Sequence, residues 1–196
     1  MQAGILIIDF GSQYTQLIAR RVRELNVYSL IYPYNKITNR LLKDLNPSGV
    51  ILSGGPNSVL DKNAPNFPKI ILKLGKPILG ICYGLQILSK YFGGEISSSF
   101  NREYGYANIK IQSKSKIIPF NWHRNKKAKV WMSHGDNVKK IPKNFSIVAT
   151  SNNKNISIIE NTKMKIYGLQ FHPEVEHTDQ GNQLIKKFVF TICKTN

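Results

Sequence analysis

Cys82 lies in the run Lys76-Pro77-Ile78-Leu79-Gly80-Ile81-Cys82-Tyr83-Gly84-Leu85-Gln86, where an apolar stretch ends in a thiol flanked by glycines and gives way to helical periodicity. That pattern is the build of a nucleophile elbow: a nucleophile on a tight strand-to-helix turn needs minimal side chains two positions either side, where the backbone crowds, and Gly80 and Gly84 meet that need. A helix beginning at Tyr83 would point unpaired N–H groups and the positive end of its dipole at the sulfur, which favours the nucleophilic thiolate. A lone cysteine after a strand is more often just a small hydrophobe, so the chemistry depends on a base. Near the C-terminus, Lys165-Ile166-Tyr167-Gly168-Leu169-Gln170-Phe171-His172-Pro173-Glu174 predicts a strand ending in His-Pro-Glu. Along an extended strand His172 and Glu174 face the same way, with Pro173 stiffening the link. A carboxylate beside an imidazole fixes its tautomer and stabilises the imidazolium, leaving the other ring nitrogen for the nucleophile. Nucleophile, base and orienting carboxylate are thus present, in the chain order Cys82, His172, Glu174.

Other polar groups fall near this pair. Ser53-Gly54-Gly55-Pro56 lacks the Lys and Ser or Thr of a phosphate-cradling loop; it is either a plain turn or, beside a nucleophile, an oxyanion hole in which the Gly55 N–H joins the Tyr83 N–H. Gln86 lies one helical turn beyond Cys82 and is expected to project to the same mouth. Ser133-His134-Gly135-Asp136, after a predicted strand Val130 to Met132, reads as a polar loop able to close over a small substrate. Glu176 shares the strand parity of Glu174 and is a second choice for the orienting role. His177 and His123 have no partner by spacing, and Cys193 is most economically a core thiol. Asp9-Phe10-Gly11 copies a kinase tripeptide without the Gly-rich or catalytic loops that would give it meaning.

The elements that must hold these residues follow from apolar periodicity. Gly4 to Phe10 reads as a buried strand, and Ser12 as the N-cap of a helix burying Tyr14, Leu17, Ile18, Val22 and Leu25. A strand at Val27 to Tyr32, a helix at Asn39 to Leu45, a strand at Gly49 to Leu52 and a helix near Phe67 to Leu74 lead to the strand before Cys82. This β-α-β-α-β rhythm predicts an α/β fold: a doubly wound, mostly parallel sheet with helices on both faces and ligands at the carboxyl ends of its strands. From Gly94 to about Gln112 and on through Lys129 to Met132, Phe145 to Thr150 and Ile156 to Glu160, strand-like alternation predicts a small antiparallel extension. Ile166 to Phe171 returns to the main sheet, and a helix from about Gln180 to Cys193, capped by Thr178 or Asp179, closes one domain over 1–196.

The chain has 196 residues, enough for a full core, and two cysteines at unlike sites, which calls for no disulfide and suits a reducing, cytoplasmic setting. Neither a signal peptide nor a membrane span is legible. The formal net charge of +17 raises the question of nucleic acid. Its lysines are spread through loops, with short groups only at Arg124 to Lys129, Lys139-Lys140 and Lys186-Lys187, and no RNA-binding aromatic motif accompanies them. Lys abounds together with Asn, Ile, Tyr and Phe, the amino acids of A/T-rich codons, so genome composition explains the charge and nucleic acid is not an expected partner. A basic patch that docks an acidic partner or gathers anionic substrates stays open.

The elbow Gly80 to Gln86 together with His172-Pro173-Glu174 resembles the triad (class I) glutamine amidotransferases. The runs Asp9 to Glu24, Ser53-Gly54-Gly55-Pro56, Arg102-Glu103-Tyr104-Gly105, Trp131 to Asp136 and His172 to Thr178 narrow the resemblance to the amidotransferase part of the GMP synthetase branch, over nearly the whole chain from about Gly4 to Ile192. Tyr83 after the nucleophile, where other branches usually carry Leu, favours that branch. The resemblance implies hydrolysis of L-glutamine to glutamate and ammonia through a γ-glutamyl thioester on Cys82, with His172 and Glu174 as the other triad members. It further implies Gly55 and Tyr83 as the oxyanion hole, and Gly54, Gln86, Ser133, His134, Gly135 and Asp136 around the glutamine. No metal and no cofactor is implied for this chain; ATP and Mg would act in a partner ATP-pyrophosphatase domain that turns XMP into GMP. That domain's Ser-Gly-Gly-Val-Asp-Ser loop is missing here, so the sequence is expected to be an excised domain or a separate subunit, and the full enzyme a homodimer. Arg20, Arg23, Arg102 and Glu103 are candidates for the docking surface. An amidotransferase serving anthranilate or carbamoyl phosphate synthesis, a γ-glutamyl hydrolase and a cysteine peptidase of the related α/β type remain alternatives.

Overall fold

The structure is a computed structural model that describes residues 4–195, apart from the side chains of residues 99–102. Five short apolar segments make the parallel half of one sheet: β1 (Ile5–Asp9), β2 (Ser29–Pro33), β3 (Gly49–Leu52), β4 (Ile78–Ile81) and β9 (Ile166–Leu169), side by side in the order β2-β1-β3-β4-β9. The inner strands β1, β3, β4 and β9 are buried almost throughout, as continuous apolar runs must be when both faces of a parallel sheet are covered. Side-chain alternation divides the core. Ile5, Ile7, Ile51, Leu79 and Ile81 pack with Ile18 and Val22 of α1 (Thr15–Arg23) and Leu184 of α5 (Gly181–Lys186). Leu6, Ile8, Val50, Leu52 and Ile78 pack with Leu42 of α2 (Asn39–Leu45) and Leu85 and Leu88 of α3 (Tyr83–Tyr91). This is the doubly wound α/β sheet that the sequence predicts.

Beyond β9 the sheet turns antiparallel through β8 (Ile156–Asn161), β7 (Ser146–Ser151), β5 (Glu95–Ile111) and β6 (Lys127–Lys140), giving a nine-stranded sheet among the described residues. A short helix, α4 (Phe120–Asn125), links β5 to β6 through that region. Among the described residues no helix is long and apolar enough to cross a membrane.

Four local expectations change. Ser133 to Asp136 is not a loop: it continues β6, with Glu103 paired to His134 and Tyr104 to Ser133 across β5. The segment expected as a helix near Phe67 to Leu74 is a 3-10 helix over Lys69–Leu74, bounded by Pro68 and the left-handed Gly75. Ser12 does not cap α1; its Oγ accepts the Tyr14 N–H in a tight turn, and α1 starts at Thr15 without a side-chain cap. The last helix is also uncapped by side chains: α5 starts at Gly181 behind a left-handed Gln180, then widens into a π-helical turn over Lys187–Ile192. Cys193 is buried and free, as a core thiol should be, and burial pushes its pKa up.

The elbow explains its glycines by distance. Cys82 has φ 51° and ψ −105°, a strained backbone for a side chain to occupy. A Cβ on Gly84 would meet the Leu52 carbonyl oxygen at 2.5 Å, and one on Gly80 the Gly84 carbonyl carbon at 2.6 Å, both backbone atoms with nowhere to go. Gly84→Ala is therefore expected to lower stability by about 2 kcal/mol or more, in the range of overpacked cores, as a fall in the urea midpoint; an unchanged midpoint would show that α3 does not sit this close to β3.

Candidate functional site

Cys82 sits where β4 hands over to α3, and it is the junction of two cavities. The first, about 380 Å³, is lined by Gly55, Pro56, Asn57, Ser58, Tyr83, Gln86, Tyr104 and Ser133 to Asp136 as well as Cys82. The second, about 300 Å³, is bounded by Gly11 to Tyr14 and His172 and shares Gly55, Pro56, Cys82 and Ser133 with the first. The thiol itself is only 5% exposed. Its sulfur lies 3.5 Å from the Ser133 carbonyl oxygen, and the Gln170 amide approaches it at 3.8 Å.

His172 follows β9 and belongs to a turn, not to the strand expected from the sequence. The turn nonetheless makes the contact that strand alternation anticipates: Nδ1 is 2.8 Å from Glu174 Oε1, and Glu174 is fully buried. With Nδ1 committed to the carboxylate, Nε2 is the nitrogen left for Cys82. Burial works against a charge on His172, but the Glu174 carboxylate and the Cys82 sulfur outweigh it and hold the imidazole pKa well above its ordinary 6.5. The ring is further held edge-on by Tyr14, 5.1 Å between centroids. Glu176 is exposed, so the alternative orienting carboxylate points away into solvent.

The turn is strapped to the far end of the sheet. The His172 N–H donates to the Trp131 carbonyl at 3.0 Å, and the Asp179 N–H to the Lys129 carbonyl at 3.0 Å. Thr178, expected as a helix cap, instead donates its hydroxyl to the His172 carbonyl at 2.6 Å and accepts the Trp131 N–H at 3.0 Å. Arg21 Nε adds a bond to the Glu174 carbonyl at 2.9 Å from the α1 side. These bonds bring β6, at the edge of the sheet, over the carboxyl end of β9, so that Ser133 to Asp136 face the thiol.

Each remaining candidate has a definite place. Gly55 and Tyr83 flank the thiol, and a Cβ on Gly55 would meet the Phe10 carbonyl oxygen at 2.8 Å and the Tyr83 ring at 3.4 Å. Gly54 does not line the first cavity; a Cβ there would fall 3.2 Å from His172 Cε1 and 3.7 Å from Cys82 Cβ, so its lack of a side chain lets base and nucleophile close up. Gln86 lines the cavity with its amide nitrogen committed to the Asp136 carbonyl at 2.9 Å and to Gln170 at 3.4 Å. The Asp136 carboxylate accepts the Ser58 hydroxyl at 2.5 Å, closing the Gly55 to Ser58 loop onto β6. His134 turns its ring away from solvent towards Glu103, at 3.2 Å. Glu103, a candidate for the docking surface, is instead 6% exposed, because His134, Ser151 and Asn153 surround its carboxylate. Arg20 stays on the surface with Glu24, Arg23 donates to the Ser29 carbonyl, and the Arg102 side chain lies outside the described residues.

Sequence reasoning missed Tyr14, Ser58, Gln170 and Thr178. Only Gln170 carried a local signal, a polar residue next to an otherwise apolar strand end. The other three act through partners far along the chain.

The class-I glutamine amidotransferase family model matches residues 6–192. The chain is 48% identical to GMP synthase [glutamine-hydrolyzing] of Brachyspira hyodysenteriae over 97% of its own length. It is also 48% identical to the protein of that name from Bacillus cytotoxicus, over 96% of its length. In both cases it spans 36% of the relative. Among solved structures it superposes on a Thermoplasma acidophilum protein described as a candidate GMP synthase subunit, with TM-score 0.79 and 30% identity, covering 99% of this chain and 95% of that one. A Thermotoga maritima glutamine amidotransferase matches with TM-score 0.70 and 25% identity over 89% of this chain and 77% of that one.

Two tests follow from the geometry. Thr178→Val removes the donor to the His172 carbonyl and the acceptor of the Trp131 N–H; it is expected to cost about 1–3 kcal/mol of stability, measured by urea unfolding, and no loss would mean the strap is idle. Glu103 has a folded pKa of about 2: burial pushes it up, but the polar side chains of His134, Ser151, Asn155 and Asn153 around it prevail. A depressed carboxyl pKa contributes stability above the ordinary value of 4.5 and loses it as pH falls towards about 2. The stability gap between the parent and Glu103→Gln should therefore narrow across that window in pH-dependent urea unfolding, and a gap constant with pH would contradict the assignment.

Proposed function

The chain belongs to the class-I glutamine amidotransferases, and from that premise we propose that it hydrolyses L-glutamine to glutamate and ammonia by covalent catalysis at Cys82. The observation that carries this is the buried His172–Glu174 contact of 2.8 Å beside a thiol at a strand-to-helix elbow, opening onto two cavities. Glutamine would lie in the first cavity with its side-chain amide over Cys82. The leaving nitrogen would then face His172 in the second.

Cys82 Sγ, paired as thiolate with the His172 imidazolium, forms a bond to the amide carbon, and the carbonyl π electrons move to oxygen. The Gly55 and Tyr83 N–H groups would hold that oxyanion; a buried pair of preorganised donors is worth several kcal/mol, about 3–4 for one donor in a comparable hole. His172 gives its Nε2 proton to the departing amine, the C–N bond breaks and ammonia leaves, while Glu174 keeps the ring oriented. Water then attacks the γ-glutamyl thioester as neutral His172 takes its proton. The C–S bond breaks, glutamate is released and the thiolate–imidazolium pair returns. No metal or cofactor takes part in these steps.

The ammonia is proposed to serve a GMP synthetase ATP-pyrophosphatase domain, fused or separate, in which ATP and Mg activate XMP for conversion to GMP. The similarity to proteins named GMP synthase, and the 36% of their length that this chain spans, support that partner. Two free thiols suit a cytoplasmic setting. A homodimer of the full enzyme is the corresponding assembly.

Cys82→Ala should abolish glutamine-dependent ammonia release, by about 10⁴-fold or more if the nucleophile carries the covalent route, in a coupled ammonia assay run with and without the synthetase domain, XMP and ATP. Stimulation by that full combination is expected. Ammonia release retained in the variant would refute the nucleophile, and stimulation by a different synthase instead would refute the pathway.

A further inference from the structure

We propose that Glu103 is a positioning residue which, through His134, sets the wall of the cavity proposed above to hold glutamine; the inference rests on that reading of the cavity. Glu103 and His134 stand directly opposite each other on β5 and β6, and both are buried, at 6% and 4% exposure. A carboxylate out of water is costly unless paired and hydrogen-bonded, and every partner of this one is specific. Oε1 accepts the Ser151 hydroxyl at 2.8 Å and the Asn153 amide at 3.0 Å, while Oε2 lies 3.2 Å from His134 Nε2. The other ring nitrogen, Nδ1, is 3.1 Å from the Asp136 carbonyl oxygen. Both ring nitrogens therefore face oxygen. The Nε2 contact is close but out of line for a directed hydrogen bond, so the ring packs against the carboxylate and is fixed by that contact and by Asp136.

The position of this pair in the sheet gives it a task. Between Ser98 and Glu103 the register of β5 shifts against β6: Ser98 pairs with Asp136, and regular pairing resumes at Glu103 with His134. The cavity wall, Ser133 to Asp136, spans the two sides of that shift. Its Ser133 carbonyl faces Cys82 Sγ, its Asp136 carbonyl accepts Gln86, and its Asp136 carboxylate accepts Ser58. At this shift in register His134 gives the wall an anchor besides its backbone pairing, tied on one side to Asp136 and on the other to Glu103. Glu103 is in turn held by Ser151 and Asn153 at the β7 to β8 turn. Ser133 to Asp136 are thus placed by the Glu103–His134 contact from behind, and Glu103 does not line the cavity that Cys82 opens onto.

The test compares two labels on the intact chain. A chloroketone analogue of glutamine reads the cavity and the thiol together, whereas iodoacetamide reads the thiol alone. For Glu103→Gln, the half-saturating concentration of the analogue is expected to rise by about tenfold or more, the scale on which a small misplacement acts, while the iodoacetamide rate stays within about twofold. Ser151→Ala removes one hydrogen bond to Glu103 but leaves its charge facing His134, and should move neither rate beyond about twofold even where it lowers the melting temperature. In a His134→Asn background, Glu103→Gln should add less than about twofold, because residues acting through one another are not additive. The proposal is overturned if Glu103→Gln leaves the analogue's saturation unchanged, if both labels slow together, if Ser151→Ala shifts saturation as much, or if the two substitutions add in full. If the parent chain shows no saturation with the analogue and no protection by free L-glutamine, the glutamine assignment of the cavity fails first, and this inference with it.

Discussion

The turn from His172 to Asp179 is the constraint on which the rest of the site depends. By itself it contributes an imidazole and a carboxylate 2.8 Å apart. Its backbone and the Thr178 hydroxyl also bind β6 through Trp131 and Lys129, so that the last strand of the sheet order is folded over the end of β9. The antiparallel extension already joins β9 through β8; the strap adds a direct tie from β6 to the turn, so that Ser133 to Asp136 are held facing Cys82. Orientation of the base and closure of the cavity are consequences of one set of hydrogen bonds.

The electrostatics of the pocket have the same economy. Two His–Glu pairs are buried around the site, His172 with Glu174 and His134 with Glu103. The first faces the thiol, and its imidazole is held above its ordinary pKa by the charges either side of it. The second faces away from the thiol and has a strongly acidic carboxyl. In low dielectric a charge pair that is well surrounded gains rigidity at the cost of desolvation. That suits a site whose groups must stay in place while charge moves between sulfur, oxygen and nitrogen.

Much of the parallel half was legible in the sequence because hydrophobic runs and turn residues there are local signals. The strand Gly49–Leu52 and the helix Asn39–Leu45 are found with the bounds that periodicity suggests, and Gly80 and Gly84 mark the elbow because a side chain at either point would run into backbone atoms. The polar half was not. Ser133 to Asp136 carry no alternating apolar pattern, so hydropathy makes them a loop; their strand exists because β5 pairs with them. Glu103 reads as a surface charge, since nothing local foretells that Ser151, Asn153 and His134 will surround it. Thr178 before a helix reads as a cap, yet its hydroxyl is taken by His172 of its own turn and by Trp131 of β6. Strand parity brought His172 and Glu174 together for a reason that does not apply, since a turn makes the contact.

The most direct measurement is mass spectrometry of the chain mixed with L-glutamine, in the presence of the loaded synthetase domain, and quenched in acid within the first turnover. A γ-glutamyl group should appear on the peptide that holds Cys82 and decay as ammonia and glutamate accumulate, with Cys193 unmodified. Glutamine turnover with Cys82 bare at every time point, or the adduct on Cys193, would contradict covalent catalysis at the elbow.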